Sequence, residues 1–124
     1  MDFLLTEEQL ALKEETHRFA EKEMRPKAIE VDEKNEFPFE IMKRAFEMGL
    51  LTTGIPEEFG GAGFDAVTNA IVCEELAWGC AGMYTSMMAN TLATTPIVLF
   101  GSAEQKKKYL EPLTHEMSFS CFGL

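Results

Sequence analysis

The chain has 124 residues, the length of one domain, and its 46% hydrophobic content is enough to bury about two-thirds of the unfolded surface without disulfide or metal staples. With 21 acidic against 11 basic side chains its formal charge is -10, which excludes the basic face that a duplex nucleic acid requires. Cys73, Cys80 and Cys121 form no C-x-x-C pair, and His17 and His115 offer no zinc spacing, so the thiols read as buried or free in a reducing cytosol.

The opening, "MDFLLTEEQ", is acidic and lacks the basic start and apolar run of a signal peptide, so a cytoplasmic protein is expected. Thr6 with Gln9 three residues on has the form of a capping box, and Leu5 with Leu10 the spacing of a hydrophobic staple. Leu12, Thr16, Phe19, Ala20, Met24 and Ala28 then make a helical stripe, leaving His17 on a solvated face. Pro26 should kink that helix or end it early.

A second helix begins near Pro38, turns Ile41, Ala45 and Met48 to one face, and ends at Gly49. The third starts from Asp65 as N-cap, with Ala66, Asn69, Ala70, Cys73, Leu76 and Ala77 as its apolar side. Residues 76–103 carry no charge, but Gly, Ser, Asn, Thr and Pro interrupt them too often for a membrane span. They read as two helices meeting near Asn90 to Pro96, at the buried centre of the domain. Ser102 with Gln105 caps a last helix that turns Tyr109 and Leu110 inward and leaves Lys106 to Lys108 in water. "SFSCFGL", residues 118–124, changes to a two-residue rhythm, which is strand patterning at the end of a helical chain. The expected fold is all-α, an up-and-down bundle of five to six helices over residues 1–117. Residues 118–124 are expected to be the first strand of a β-domain that the chain lacks.

Gly61 to Ala66, "GAGFDA", satisfies one form of the dinucleotide fingerprint. Its context is wrong: Gly54 and Pro56 spoil the strand that should precede it, and position 86, where the ribose-binding acid belongs, is Ser86. The glycines serve instead a turn leading to Asp65.

Taken in order, "FLLTEEQLALKEETHRFAEKEMRPKA", "FPFEIMKRAFEMGLL", "IPEEFGGAG" and "PIVLFGSAEQKKKYLEPL" running into "CFGL" resemble the amino-terminal domain of flavin-dependent acyl-CoA dehydrogenases. The resemblance covers essentially the whole chain and implies a larger enzyme that oxidises an acyl-CoA thioester to its trans-2-enoyl form. It implies FAD as hydride acceptor, an electron-transferring flavoprotein as partner, and a homo-oligomer, commonly a homotetramer. The catalytic base would lie in another domain, so none of Glu57, Glu58, Glu74 and Glu75 is assigned to catalysis; they read as surface or capping charges. Phe122, Gly123 and Leu124 match the start of the family strand that lies against the flavin, although a purely structural strand would look the same. Met87, Asn90, Thr91, Thr94 and Thr95 fall in the region that lines the acyl channel, although plain helix packing would select similar residues. No Lys or Arg stands between Arg44 and Lys106, which favours a neutral acyl group. A separate helical module that binds partners or acyl chains without redox chemistry is the alternative.

Overall fold

Helices follow one another with short connections: α1 Glu7–Phe19, α2 Arg25–Lys34, α3 Phe39–Glu47, α4 Ala66–Gly79, α5 Ala81–Phe100 and α6 Ala103–His115. A computed structural model describes residues 4–123, and among these no strand occurs, so the all-α class holds. Local chemistry sets the helix starts as expected. Thr6 Oγ1 accepts the Gln9 N–H at 3.1 Å while Gln9 Oε1 accepts that of Thr6 at 3.1 Å. Ser102 and Gln105 repeat the exchange at 3.2 and 2.8 Å. Asp65 caps α4 by accepting the Thr68 N–H at 2.7 Å. Each pair satisfies donors that a helix leaves open at its first turn.

Pro26 does not end the first helix. Residues Ala20–Met24 form a π turn in which the Arg25 N–H reaches back to the Ala20 carbonyl, five residues away, and α2 follows directly. The widened turn absorbs the register change immediately before the ring that would otherwise crowd the preceding turn. α3 closes with the Gly49 N–H donating to Phe46 O at 2.8 Å and the Leu50 N–H to Ala45 O at 2.9 Å. This double bond pattern requires a left-handed residue, and Gly49 supplies it at φ 75°.

Phe19, Ala20 and Met24 from the first rod meet Ile41, Met42 and Ala45 of α3, Val72 and Leu76 of α4, and Met83 and Met87 of α5. Burying each of the four methionines contributes about 1.5–3 kcal/mol, offset by up to about 2 kcal/mol of lost rotamer freedom. Their value is therefore fit more than driving force: an unbranched thioether fills the irregular gaps where helices of unequal length converge. The π turn after α1 lies close against α4 at Gly79, where a Cβ would stand 2.8 Å from that of Ala20.

Three expectations change. The buried face of α4 is Ile71, Val72, Glu75, Leu76 and Gly79, while Ala66 and Ala70 face water. The helix is apolar nearly all round, so periodicity selects no face and the bulkier side chains take the core. Residues 81–100 form one helix, not two, and Pro96 lies inside it. Pro96 removes a single N–H close to the helix end, and the hydroxyls of Thr94 and Thr95 bond back to the carbonyls of Asn90 and Thr91 at 2.8 and 2.7 Å. Leu110 is fully buried as expected, but Tyr109 is exposed, with Lys108 over its ring.

Two alanine substitutions should move stability in opposite directions. Gly61→Ala would drive a Cβ into the Ile55 carbonyl and is expected to cost about 2 kcal/mol or more in urea unfolding. Gly82→Ala, in the first turn of α5 with open space around it, should stabilise by about 0.5 kcal/mol.

The Asp65 cap predicts a pH dependence. The backbone N–H of Thr68, then its hydroxyl, hold the Asp65 carboxyl below the ordinary aspartate range. A carboxyl depressed on folding contributes stability above its unfolded pKa of about 3.9 and loses it as pH falls through the folded value. Urea midpoints of wild type and Asp65→Ala should therefore differ at neutral pH and converge below about pH 3.9. A gap unchanged down to the acid limit would assign the effect to helix propensity alone.

Candidate functional site

α5 is the element on which the candidate residues meet. It carries no charged side chain, so its faces differ only in bulk and burial. Met83, Met87, Asn90 and Thr94, spaced four, three and four, are buried in the core. Thr85, Met88, Leu92, Thr95 and Leu99, spaced three and four, form a second stripe on the far side. Met88 there is half-buried, and Leu92 and Leu99 are 59% and 64% exposed. The five sequence candidates thus divide. Met87, Asn90 and Thr94 point inward, Thr91 is half-buried on the boundary with its methyl near Gly54, and Thr95 belongs to the open stripe. Met88 and Leu92 escape a search confined to pocket-like residues, although their spacing with Thr95 was available as a signal.

The buried amide of Asn90 is engaged at both its nitrogen and its oxygen. Its Nδ2 donates to the Ser118 carbonyl at 3.0 Å, and its Oδ1 accepts from the Ser120 N–H at 2.8 Å and the Ser120 hydroxyl at 3.1 Å. A peptide carbonyl can only accept and a peptide N–H can only donate, so these partners fix which way the amide points. Residues 118 and 120 present these groups on one side of an extended chain, as a strand does toward its neighbour. Among the described residues, 118–123 form no strand, and residues 118 and 120 meet a side chain of α5 in place of a paired strand. Met117 packs on the core, and between the two clasped serines the Phe119 ring stands edge-on to Phe37 at 5.2 Å.

Beyond the clasp, Cys121, Phe122 and Gly123 are exposed, and among the described residues their backbone has no backbone hydrogen-bond partner. Phe122 is 47% exposed, and a Cβ on Gly123 would meet nothing within 4 Å. An aromatic side chain beside open peptide groups fits a flat heteroaromatic ring with hydrogen-bonding edges. Leu124 lies outside the described residues.

The glycine motif turns a corner. The Ala62 and Phe64 N–H groups donate to Thr52 O and Thr53 O at 3.2 and 3.0 Å, and that of Gly63 to Ile55 O at 2.9 Å. These donors are spent inside the chain and are not left to cradle a phosphate.

Among the acids, Glu75 departs from expectation. Glu57, Glu58 and Glu74 are exposed, whereas Glu75 is buried, with His17 Nδ1 2.6 Å and Lys13 Nζ 3.5 Å from its carboxylate. His17 also stacks on Trp78 with centroids 4.3 Å apart, and the Arg25 guanidinium lies 4.3 Å over the same ring. Neither His17 nor Glu75 is thus a free surface group; together they close the seam between α1 and α4. On the other side of α4, the Cys73 thiol donates to Met88 Sδ at 3.7 Å. Its hydrogen bond with Tyr84, followed by burial, pushes the phenol up to about 12. Among the described residues no group of three or more His, Cys, Asp or Glu could hold a metal ion. No described helix is long and apolar enough to cross a membrane.

The family "Acyl-CoA dehydrogenase, N-terminal domain" matches residues 6–116. A probable acyl-CoA dehydrogenase of Bacillus subtilis is 38% identical over 125 aligned positions, covering 100% of this chain and 33% of the relative. Butyryl-CoA dehydrogenase from Megasphaera elsdenii superposes with a TM-score of 0.79 at 33% identity, covering 92% of this chain and 31% of that one. A glutaryl-coenzyme A dehydrogenase in complex with glutaryl-CoA superposes at 0.82 with 36% identity, covering 92% and 30%. The chain spans about a third of the length of these relatives. Six helices in this order, matched by profile and by superposition, place the chain in the acyl-CoA dehydrogenase family, as its amino-terminal domain.

Proposed function

We propose that the chain is the helical domain of an FAD-dependent enzyme that oxidises a neutral acyl-CoA to its trans-2-enoyl thioester. The 124 residues alone are inactive, because the carboxylate that takes the α-proton is supplied from outside them. FAD supplies the hydride acceptor for the β-carbon, and an electron-transferring flavoprotein draws the electrons off. Family likeness supports these roles, together with a homo-oligomer. On this reading Phe122, Gly123 and Leu124 meet the flavin, supported by the family likeness and by the exposure of Phe122.

The observation that carries the reading is the second stripe of α5. A helix face left in water ordinarily carries charge, and Thr85, Leu92, Thr95 and Leu99, all exposed, carry none, with half-buried Met88 at the edge of the stripe. Such a face suits a thioester's alkyl chain: Leu92 and Met88 give apolar contact, and Thr91 and Thr95 are small enough to leave room. Met87, Asn90 and Thr94 form the layer behind, holding that wall in place.

Neutrality of the acyl group follows from charge. A distal carboxylate buried against α5 would find no cation between Arg44 and Lys106, and an unpaired buried charge is costly. Steady-state turnover by the full-length protein should favour butyryl- or hexanoyl-CoA over glutaryl-CoA by at least about a hundredfold in kcat/KM, equivalent to about 3 kcal/mol. Preference for the dicarboxylate would overturn the neutral-substrate reading. A full-length protein without flavin absorbance would overturn the whole assignment.

A further inference from the structure

We infer that Asn90 is a positioning residue for the flavin edge, acting through the chain segment that it clasps. The inference rests on the functional reading above and reassigns this residue's part in it. Three features carry it. The side chain is 1% exposed, so it cannot reach a ligand without unpacking α5. Both its polar atoms are committed, Nδ2 to the Ser118 carbonyl and Oδ1 to the Ser120 N–H and hydroxyl. The chain then runs only one residue further before Phe122, the side chain placed to meet the ring.

Geometry makes this clasp specific. A primary amide binding a carbonyl and an N–H two residues apart dictates both the position and the register of the extended chain. A slip by one residue would turn every side chain to the opposite face. In that slipped register Ser120 would point where Phe119 now meets Phe37, and the groups of residues 122 and 123 would exchange sides. An apolar residue at 90 would keep the helix buried but leave the register to the weaker ring contact of Phe119.

The test uses the full-length protein and two readouts, neither of them turnover. The first is amide hydrogen exchange at Ser120 in the flavin-free protein; the second is the FAD dissociation constant, with the absorption bands of the bound flavin. Asn90→Leu should lose protection at Ser120, weaken FAD binding by about tenfold and shift the flavin bands. Ser120→Ala, which removes only the hydroxyl from the clasp at a half-buried site, should act in the same direction and more weakly. Thr94→Val is the control for simple damage to α5: it removes a buried hydroxyl bonded to the Asn90 carbonyl and should leave both readouts unchanged. If Asn90→Leu does not fold, Ser120→Ala decides, and a variant with wild-type exchange and FAD affinity overturns the inference. Loss of Ser120 protection with unchanged FAD affinity and spectrum would overturn it as well, leaving a purely structural clasp. A wild-type protein that takes up no FAD would instead defeat the functional reading on which the inference stands.

Discussion

The arrangement depends on a polar group placed where an apolar one would be the default. Asn90 sits on the buried stripe of α5 between Met87 and Thr94. A side-chain amide taken from water without partners costs about 1–3 kcal/mol, whereas each hydrogen bond it makes returns about 1 kcal/mol net. α5 can therefore bury this face only if something satisfies the amide, and the atoms that do so belong to residues 118 and 120, about thirty positions away in sequence. Packing of the central helix and ordering of the extended segment become a single event. Asn90 thus joins the two parts of the chain that the functional reading uses, the helix with its open stripe and the segment that leads to Phe122.

Features governed by neighbouring residues were legible in the sequence. Both capping boxes, the Asp65 cap and the Gly49 terminus each involve atoms within five residues of one another, and each is present in the fold. Pro26 and Pro96 misled in the same way. Proline removes one donor and crowds one turn, but whether a helix ends there depends on what surrounds it. At Pro26 a π turn takes up the extra residue, with Ala20 and Met24 held in the core on either side of that turn. At Pro96 the helix is near its end, and the hydroxyls of Thr94 and Thr95 bond back to its carbonyls. Tertiary burial outweighs the local cost at Pro26 and a small local loss is tolerated at Pro96, which the ring alone does not announce.

What was not legible is contact at a distance. Glu75 next to Glu74 reads as surface charge until α1 brings Lys13 and His17 against it from 58 or more positions away. The same seam explains why the rings of His17 and Trp78, unremarked in the sequence as a pair, meet at a tilt of 32° with Arg25 over the indole. Glycine at 79 allows the helices to come close enough for these side chains to meet. The cationic partners Lys13 and His17 are partly exposed although Glu75 is buried, so salt and solvent weaken each pair; the seam fixes how α4 lies on α1 more than it stabilises the whole. The candidate site was legible in its location and not in its orientation. Residues 87–95 do lie on the central helix, but a stretch with no charge gives no indication which side faces inward, and five candidates chosen from it fell on both sides.

That ambiguity has a functional counterpart. A helix with one apolar stripe can be buried in a small domain; a helix with two needs matter on both sides. In α5 the inner stripe is covered by α4 and the clasped segment, while the other side leaves Leu92, Leu99 and Phe100 in water. An acyl chain is narrow, about the width of one row of side chains, and so can cover only part of a stripe that runs from Thr85 to Leu99. On the proposed reading, Thr91 and Thr95 mark where the ligand lies, because small side chains leave a hollow and large ones fill it. Leu99 and Phe100 then mark where protein must close over the helix. On that reading the alternation of small and large residues along one uncharged face divides it between substrate and neighbour.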